Sequence, residues 1–347
     1  MSAPISRLVV RAPNWLGDAV LALPALAAIR QAYVDAELTI AGPAAVAALF
    51  REHTDAHPDR VLELPEARRA AIVAIAAGRF DLGILFPNSF RTAWELRRAG
   101  VPARWGYATA GRGLLLTRKA PAPPRGEMRH HSEYFRALAR GLDAPCEDVP
   151  PRLMASATSL ERADALLGAA ARMPRGPLIG FAPGAAYGQA KQWPPDRVAA
   201  AMARLVAERG ATCAIVGAAH DRPAAREIES WLRAHAPDAR AHVVDLVGRT
   251  SLGVLAGVAT RCAVFVSNDS GAMHVAAAVG RPVVAIFGPT DERATHPIGR
   301  HDVLTAPVFC RPCHLRDCPI DHRCMKRISI DRVFDAVMRQ LAAPAAG

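Results

Sequence analysis

Three stretches of this 347-residue chain concentrate side chains able to hold an anion or a metal. The first is Asn268-Asp-Ser-Gly271, which ends the run Val264 to Val266 and precedes small apolar residues stopped by Gly280 and Pro282. Such a strand-to-helix turn suits a diphosphate, because a helix N-terminus presents unpaired N–H groups to negative charge. Ser270 and Gly271 would hold it. Asp269 and Ser270 are also ordinary helix caps, and on this stretch alone both readings stand. The second stretch is Pro183-Gly-Ala-Ala-Tyr-Gly-Gln-Ala-Lys191-Gln-Trp-Pro194. Gly184 and Gly188 let backbone approach a ligand closely, Lys191 can neutralise a diphosphate, and Trp193-Pro-Pro195 sets the entry to the next helix. The third is Cys310-x₂-Cys313-x₄-Cys318-x₅-Cys324, four of the chain's seven cysteines. Four thiolates so spaced can close a tetrahedral zinc site, with His314 and His322 as substitutes. Free thiols in a packed loop and an iron–sulfur cluster are the other readings, and a metal so close to the last helix would be structural.

These stretches need a scaffold, and the hydrophobic rhythm supplies one. Strand signals at Leu8 to Arg11, Leu38 to Ala41, Val61 to Leu64 and Leu82 to Phe86 alternate with helical spacing over Ala19 to Tyr33, Ala44 to Arg51, Ala67 to Ala77 and Arg91 to Arg98. Pro13-Asn-Trp-Leu-Gly-Asp18 is the first turn. Residues 100 to 130 lose the rhythm and read as a loop, cationic at Arg125, Arg129, His130 and His131. Helix resumes over Ser132 to Gly141, and 172 to 177 reads as the interdomain linker. The alternation then restarts: strands Leu178 to Ala182, Thr212 to Val216, Val243 to Leu246, Val264 to Val266 and Val283 to Phe287. Helices Pro195 to Arg209, Ala224 to His235, Leu252 to Thr260 and Asp331 to Leu341 lie between and after them. The expected fold is α/β: two Rossmann-like, doubly wound parallel-sheet domains facing across a cleft. Their expected bounds are 1–171 and 178–328, followed by a helix and tail over 329–347.

Composition narrows the function. Hydrophobic residues make up 51% and charged residues 22%, a globular balance. No apolar run approaches the ~18 residues of a membrane span, and Asp18 and Pro24 interrupt the one stretch that imitates a signal peptide. The chain is therefore expected to be cytoplasmic. Its net charge of +11 favours an anionic partner. With aromatics at 5% and no RNA-binding signature, nucleic acid is not that partner. No Gly-x-Gly-x-x-Gly follows a strand, no Gly-x-x-x-x-Gly-Lys occurs, and no Asp-x-Asp offers a Mg²⁺ site, which disfavours dehydrogenases, P-loop enzymes and metal-dependent diphosphate chemistry.

Pro13 to Asp18, Pro183 to Pro194, Asn268-Asp-Ser-Gly-Ala-Met-His274 and Phe287-Gly-Pro-Thr290, in this order, resemble the ADP-heptose:lipopolysaccharide heptosyltransferases of glycosyltransferase family 9. Ala185-Ala186-Tyr187 before Lys191 is similar to the type II branch. The resemblance implies a GT-B fold and an inverting, metal-independent transfer from ADP-heptose to the first heptose of the lipopolysaccharide inner core, on a lipid A–Kdo precursor at the inner face of the inner membrane. No cofactor is implied, so zinc at the cysteines would be structural only. Asp18 becomes the general base and Lys191 the diphosphate contact. An acceptor hydroxyl is a poor nucleophile until a carboxylate takes its proton, although Asp18 is also placed to cap the helix it begins. Gly184, Tyr187, Gly188, Asp221, Thr250, Asp269, Ser270, Gly271 and His274 would line the donor site, with Asp221 on the ribose (or capping a helix) and Thr250 near adenine, where the family often has an apolar residue. The N-terminal half would bind the acceptor, with Arg91, Arg98 and Arg129 as candidate phosphate contacts. A transferase with another acceptor, heptosyltransferase I or a protein-heptosylating enzyme, and a non-catalytic nucleotide-binding protein are the alternatives.

Overall fold

A computed structural model describes residues 4–123, 130–168 and 176–343. The chain divides into two compact units, Met1–Leu153 and Met154–Gly347. In the first, six parallel strands form one sheet: β1 (Arg7–Arg11), β2 (Glu37–Gly42), β3 (Arg60–Glu63), β4 (Leu82–Leu85), β5 (Ala103–Tyr107) and β6 (Arg118–Ala120), in the order β3-β2-β1-β4-β5-β6. The helices are α1 (Leu16–Leu21), α2 (Leu23–Ala32), α3 (Ala44–Leu49), α4 (Arg68–Ala77), α5 (Phe90–Arg98) and α6 (His131–Gly141). The alternation expected from the sequence is present, with two differences. The single helix expected over 19–33 is two, α1 and α2, meeting at Ala22. Pro24 is the reason: it lacks an N–H and is tolerated only in a first turn, where α2 places it. The segment read as a loop over 100–130 contains β5 and β6. Ala103-Arg-Trp-Gly-Tyr107 carries no β-branched residue, so pattern alone could not show that it completes the sheet. Arg125 and Arg129 of that segment lie outside the described residues, as do 172–175 of the expected linker.

The second unit repeats the topology. Its strands are β7 (Leu178–Ala182), β8 (Thr212–Ile215), β9 (Val243–Asp245), β10 (Val264–Asn268), β11 (Val283–Ile286) and β12 (His301–Leu304), all parallel in the order β9-β8-β7-β10-β11-β12. The longer helices are α7 (Ala157–Leu167), α8 (Pro195–Arg209), α9 (Arg222–His235), α10 (Leu252–Arg261), α11 (Gly271–Ala278) and α12 (Ile330–Ala342). Both faces of the sheet are covered. Val198, Met202 and Leu205 of α8, Ile228 and Leu232 of α9, and Val333, Phe334 and Val337 of α12 pack with Ile179 and Phe181 on one face. Leu167 of α7, Val254 and Val258 of α10 and Met273 of α11 pack with Phe265 and Val283 on the other. Burial on two faces explains why these strands read as unbroken apolar runs. α7 lies close on α10, where a Cβ on Gly257 would fall 2.8 Å from the Ser159 carbonyl oxygen, and Arg261 and Asp164 join them through two 2.7 Å bonds.

In each unit the strand order runs outward both ways from the first strand, so the crossovers diverge between β1 and β4 and between β7 and β10. A crevice opens at the carboxyl ends of such strands, and ligands bind there in open α/β sheets. Pro13 to Asp18 follows β1, Pro183 to Lys191 follows β7, and Asn268 to Gly271 ends β10 and begins α11.

Candidate active site

In the second unit the two anion-friendly turns are bonded to each other. Asn268, buried at the end of β10, donates through Nδ2 to the Pro183 carbonyl at 2.5 Å and accepts the Trp193 N–H at Oδ1 at 3.1 Å. Lys191 Nζ donates to Asp269 Oδ2 at 2.5 Å, and the Thr290 hydroxyl donates to the same oxygen at 2.6 Å. The ammonium also lies 4.6 Å from the centre of the Tyr187 ring. Lys191, Tyr187, Asp269, Ser270 and Gly271 are thus brought to one place. The capping alternative fails for both polar residues of the turn. Ser270 occupies the N-cap position of α11, yet its side chain makes no capping bond and its Oγ lies 3.2 Å from Ser267 Oγ. Asp269 is spent on Lys191 and Thr290. The first N–H groups of α11 therefore stay available to an anion. His274 is buried within the same helix.

Asp221 joins this group from the segment between β8 and α9. It precedes α9, but its side chain does not cap that helix; its Oδ2 accepts the Ala218 N–H at 2.9 Å. Oδ1 makes no hydrogen bond, the His220 imidazole standing 3.5 Å away, and the residue is 7% exposed. A buried carboxylate oxygen without a donor is costly unless a ligand supplies one. Gly184 packs on this carboxylate, for a Cβ there would fall 2.2 Å from it. Gly188 has φ 153°, and its Cβ would meet the Arg316 carbonyl oxygen at 2.4 Å. The room left by both glycines is thus filled by protein, a different physical reason from the ligand approach expected. Thr250 is half-buried just before Ser251, whose hydroxyl caps α10.

The cysteine segment buttresses these turns. Tyr187 donates its hydroxyl to the His314 carbonyl at 2.7 Å, Ala190 N–H bonds the Arg316 carbonyl at 2.9 Å, and His322 Nε2 bonds the Ala190 carbonyl at 2.7 Å. On its other side Arg311 donates to the carbonyls of Gly288 (2.8 Å) and Thr290 (3.0 Å) and pairs with Glu292 at 2.6 Å. Cys324 is buried, Cys313 and Cys318 are exposed, and Cys310 is intermediate. Burial pushes the Cys324 thiol up, and nearby Cys310, Cys318 and Cys313 push the same way. Among the described residues no group of three or more His, Cys, Asp or Glu side chains is arranged to hold a metal ion.

In the first unit, Asp18 stands at the third position of α1, whose N-cap is Trp15. Trp15 makes no side-chain capping bond, and the Asp18 carboxylate faces His131, whose Nδ1 lies 3.4 Å from Oδ1. The turn is anchored from below by Arg11, which donates to Asn14 Oδ1 at 2.8 Å and the Ala12 carbonyl at 2.9 Å. Burial pulls that guanidinium down to about 10, so it stays charged at neutral pH. After β4, the Asn88 amide bonds the Tyr134 hydroxyl at 2.7 Å and is steadied by the buried Arg112 at 3.3 Å. The candidate acceptor arginines are not gathered. Arg91 is bonded to Glu95 at 2.7 Å, whereas Arg98, seven residues further along α5 and about 10 Å up its axis, lies over the Trp94 ring. Arg129 lies outside the described residues. Sequence reasoning took Asn268 and Thr290 only as motif letters, overlooked Arg311, and took His131 only as part of a cationic loop. A polar residue at the last position of a buried strand is the one signal that marks Asn268.

The family model described as glycosyltransferase family 9 (heptosyltransferase) matches residues 67–323. The lipopolysaccharide heptosyltransferase 2 of Salmonella typhimurium is 31% identical over 308 residues, which cover 84% of this chain and 85% of that protein. The lipooligosaccharide heptosyltransferase 2 of Haemophilus influenzae is 27% identical over 317 residues, 84% of this chain and 86% of its own. The solved structure of E. coli ADP-heptose lps heptosyltransferase II superposes with a TM-score of 0.82 at 26% identity, covering 97% of this chain and 98% of that one. Two parallel six-stranded sheets with this helical cover are the α/β, GT-B architecture. With most of its length matched, the chain belongs to glycosyltransferase family 9, the heptosyltransferases.

Proposed function

We propose that this glycosyltransferase moves an L-glycero-D-manno-heptose from ADP-heptose to the first heptose of the lipopolysaccharide inner core, with inversion and without a catalytic metal. The observation that carries the donor half is the bonded set Lys191, Asp269 and Thr290 beside Ser270 and the N-terminus of α11. As the bond to the sugar breaks, charge builds on the departing diphosphate. Fixed N–H, hydroxyl and ammonium donors are stronger there than in the ground state, which is where rate acceleration originates. The unbonded Oδ1 of Asp221 supports a ribose hydroxyl as its missing donor. Thr250, His274, Gly184 and Gly188 belong to the walls and backbone of the same donor site. Asp18 acts as base, taking the acceptor's hydroxyl proton.

The acceptor, a lipid A–Kdo–heptose, fits a basic chain without a membrane-crossing helix among its described residues, working from the cytoplasmic face of the inner membrane. The cysteine segment is assigned a structural role. A zinc ion on Cys310, Cys313, Cys318 and Cys324 would need their four sulfurs to converge; metal analysis of protein purified without chelator tests it, and fully active metal-free protein removes it. The function itself is tested by ADP release from ADP-heptose with a panel of truncated core acceptors. Release that requires an acceptor bearing the first heptose is expected. Equal release with the Kdo-terminated acceptor would overturn the acceptor, and no release with any would overturn the activity.

A further inference from the structure

The geometry points to His131 as a positioning residue for Asp18, an inference that rests on the reading of Asp18 as base. Asp18 does not cap its own helix, since it lies in the first turn of α1 and the N-cap is Trp15. Among the described residues its carboxylate has one hydrogen-bonding partner, the His131 imidazole, with Nδ1 3.4 Å from Oδ1. The partner comes from another element: α6 begins at His131 and packs against α1 and α2. The two residues are brought together only by folding, being 113 apart in sequence.

A carboxylate only accepts, so Nδ1 must carry the hydrogen of this bond. With Oδ1 held, Oδ2 is left to face the acceptor. In the transfer the acceptor O–H bond breaks and its proton goes to Oδ2. The acceptor oxygen forms the bond to the anomeric carbon, and the carbon–oxygen bond to the diphosphate breaks with its electron pair leaving on ADP. The His131 hydrogen stays where it was throughout. Its work is orientation: a carboxylate with 29% of its side chain exposed and no other tether samples rotamers in which Oδ2 misses the hydroxyl, and misplacement by an ångström is enough to slow a reaction severely.

The test uses the full chain, ADP-heptose and a heptose-bearing acceptor, with ADP release as the readout. His131→Ala is expected to lower kcat about tenfold with the donor KM within about twofold. His131→Asn, whose Nδ2–H can stand where Nδ1–H stood, should recover to within about threefold of wild type. The His131 side chain is 53% exposed, so both variants should melt with the wild type. An alanine variant with unchanged kcat beside an inactive Asp18→Ala would overturn the inference alone. So would an asparagine variant as slow as alanine. Turnover retained in Asp18→Ala would remove the base beneath it, a separate failure.

Discussion

The single side-chain amide of Asn268 ties its own turn to the Pro183 to Pro194 turn, accepting the Trp193 N–H and donating to the Pro183 carbonyl. Asn268→Ala leaves both backbone groups buried without partners, so it should cost about 2 kcal/mol or more by urea unfolding and weaken ADP binding together. Asn268→Asp keeps an acceptor for Trp193 but sets a carboxylate against the Pro183 carbonyl, and should recover little. Gly184→Ala makes a sharper claim. Its new Cβ would fall 2.2 Å from the Asp221 carboxylate and must displace it. ADP affinity by calorimetry should drop about tenfold or more, and unchanged affinity would remove Asp221 from the ribose. Neither residue's role was legible beforehand, because each depends on what lies opposite across the fold. In the sequence Gly184 and Gly188 stand out as points of close backbone approach, expected to be to a ligand. What fills that room, Asp221 in one case and the Arg316 backbone in the other, has no trace in local sequence.

At the scale of elements, the turn after β11 is held by charge as well as by Arg311. Asp291 caps the short helix Glu292–Thr295, accepting the Arg293 N–H at 3.0 Å and the guanidinium at 2.7 Å. The bonds to Arg293 hold its carboxyl below the usual value of 3.8. A group depressed in the folded state stabilises above its unfolded value and loses that contribution as pH falls through the folded one. Wild type should therefore melt above Asp291→Asn at neutral pH, with the gap closing below about 3.8; a gap constant with pH would refute the ion pair's part. The cysteine segment carries the same lesson. Its spacing announced a metal or a thiol cluster, while its His314 and Arg316 carbonyls bond Tyr187 and Ala190 and its Arg311 side chain bonds the Gly288 and Thr290 carbonyls, a buttress for the turns at Pro183 to Lys191 and Gly288 to Thr290. The carbonyl contacts of His314 and Arg316 can be made by almost any residue, which is why residue types did not reveal them.

For the whole molecule, a net charge of +11 makes the salt response a direct test of the anionic acceptor proposed above. The KM for a phosphorylated lipid acceptor should rise severalfold between about 0.05 and 0.3 M salt, as screening shortens the reach of surface charge. That for an unphosphorylated acceptor should move little. By itself the sequence determined the α/β alternation, the doubling of one topology and the two turns where anion-friendly residues gather, because hydrophobic period and turn chemistry are local properties. Only the tertiary structure decided which of those polar residues are caps and which are free to bind. Ser270 is relieved of capping, Asp221 caps only the short turn before α9 and leaves Oδ1 unbonded, Asp269 is given to Lys191, and Asp18 to a histidine 113 residues away. A side chain's role is set by the partner the fold brings within about 3 Å, and that partner is written elsewhere in the chain.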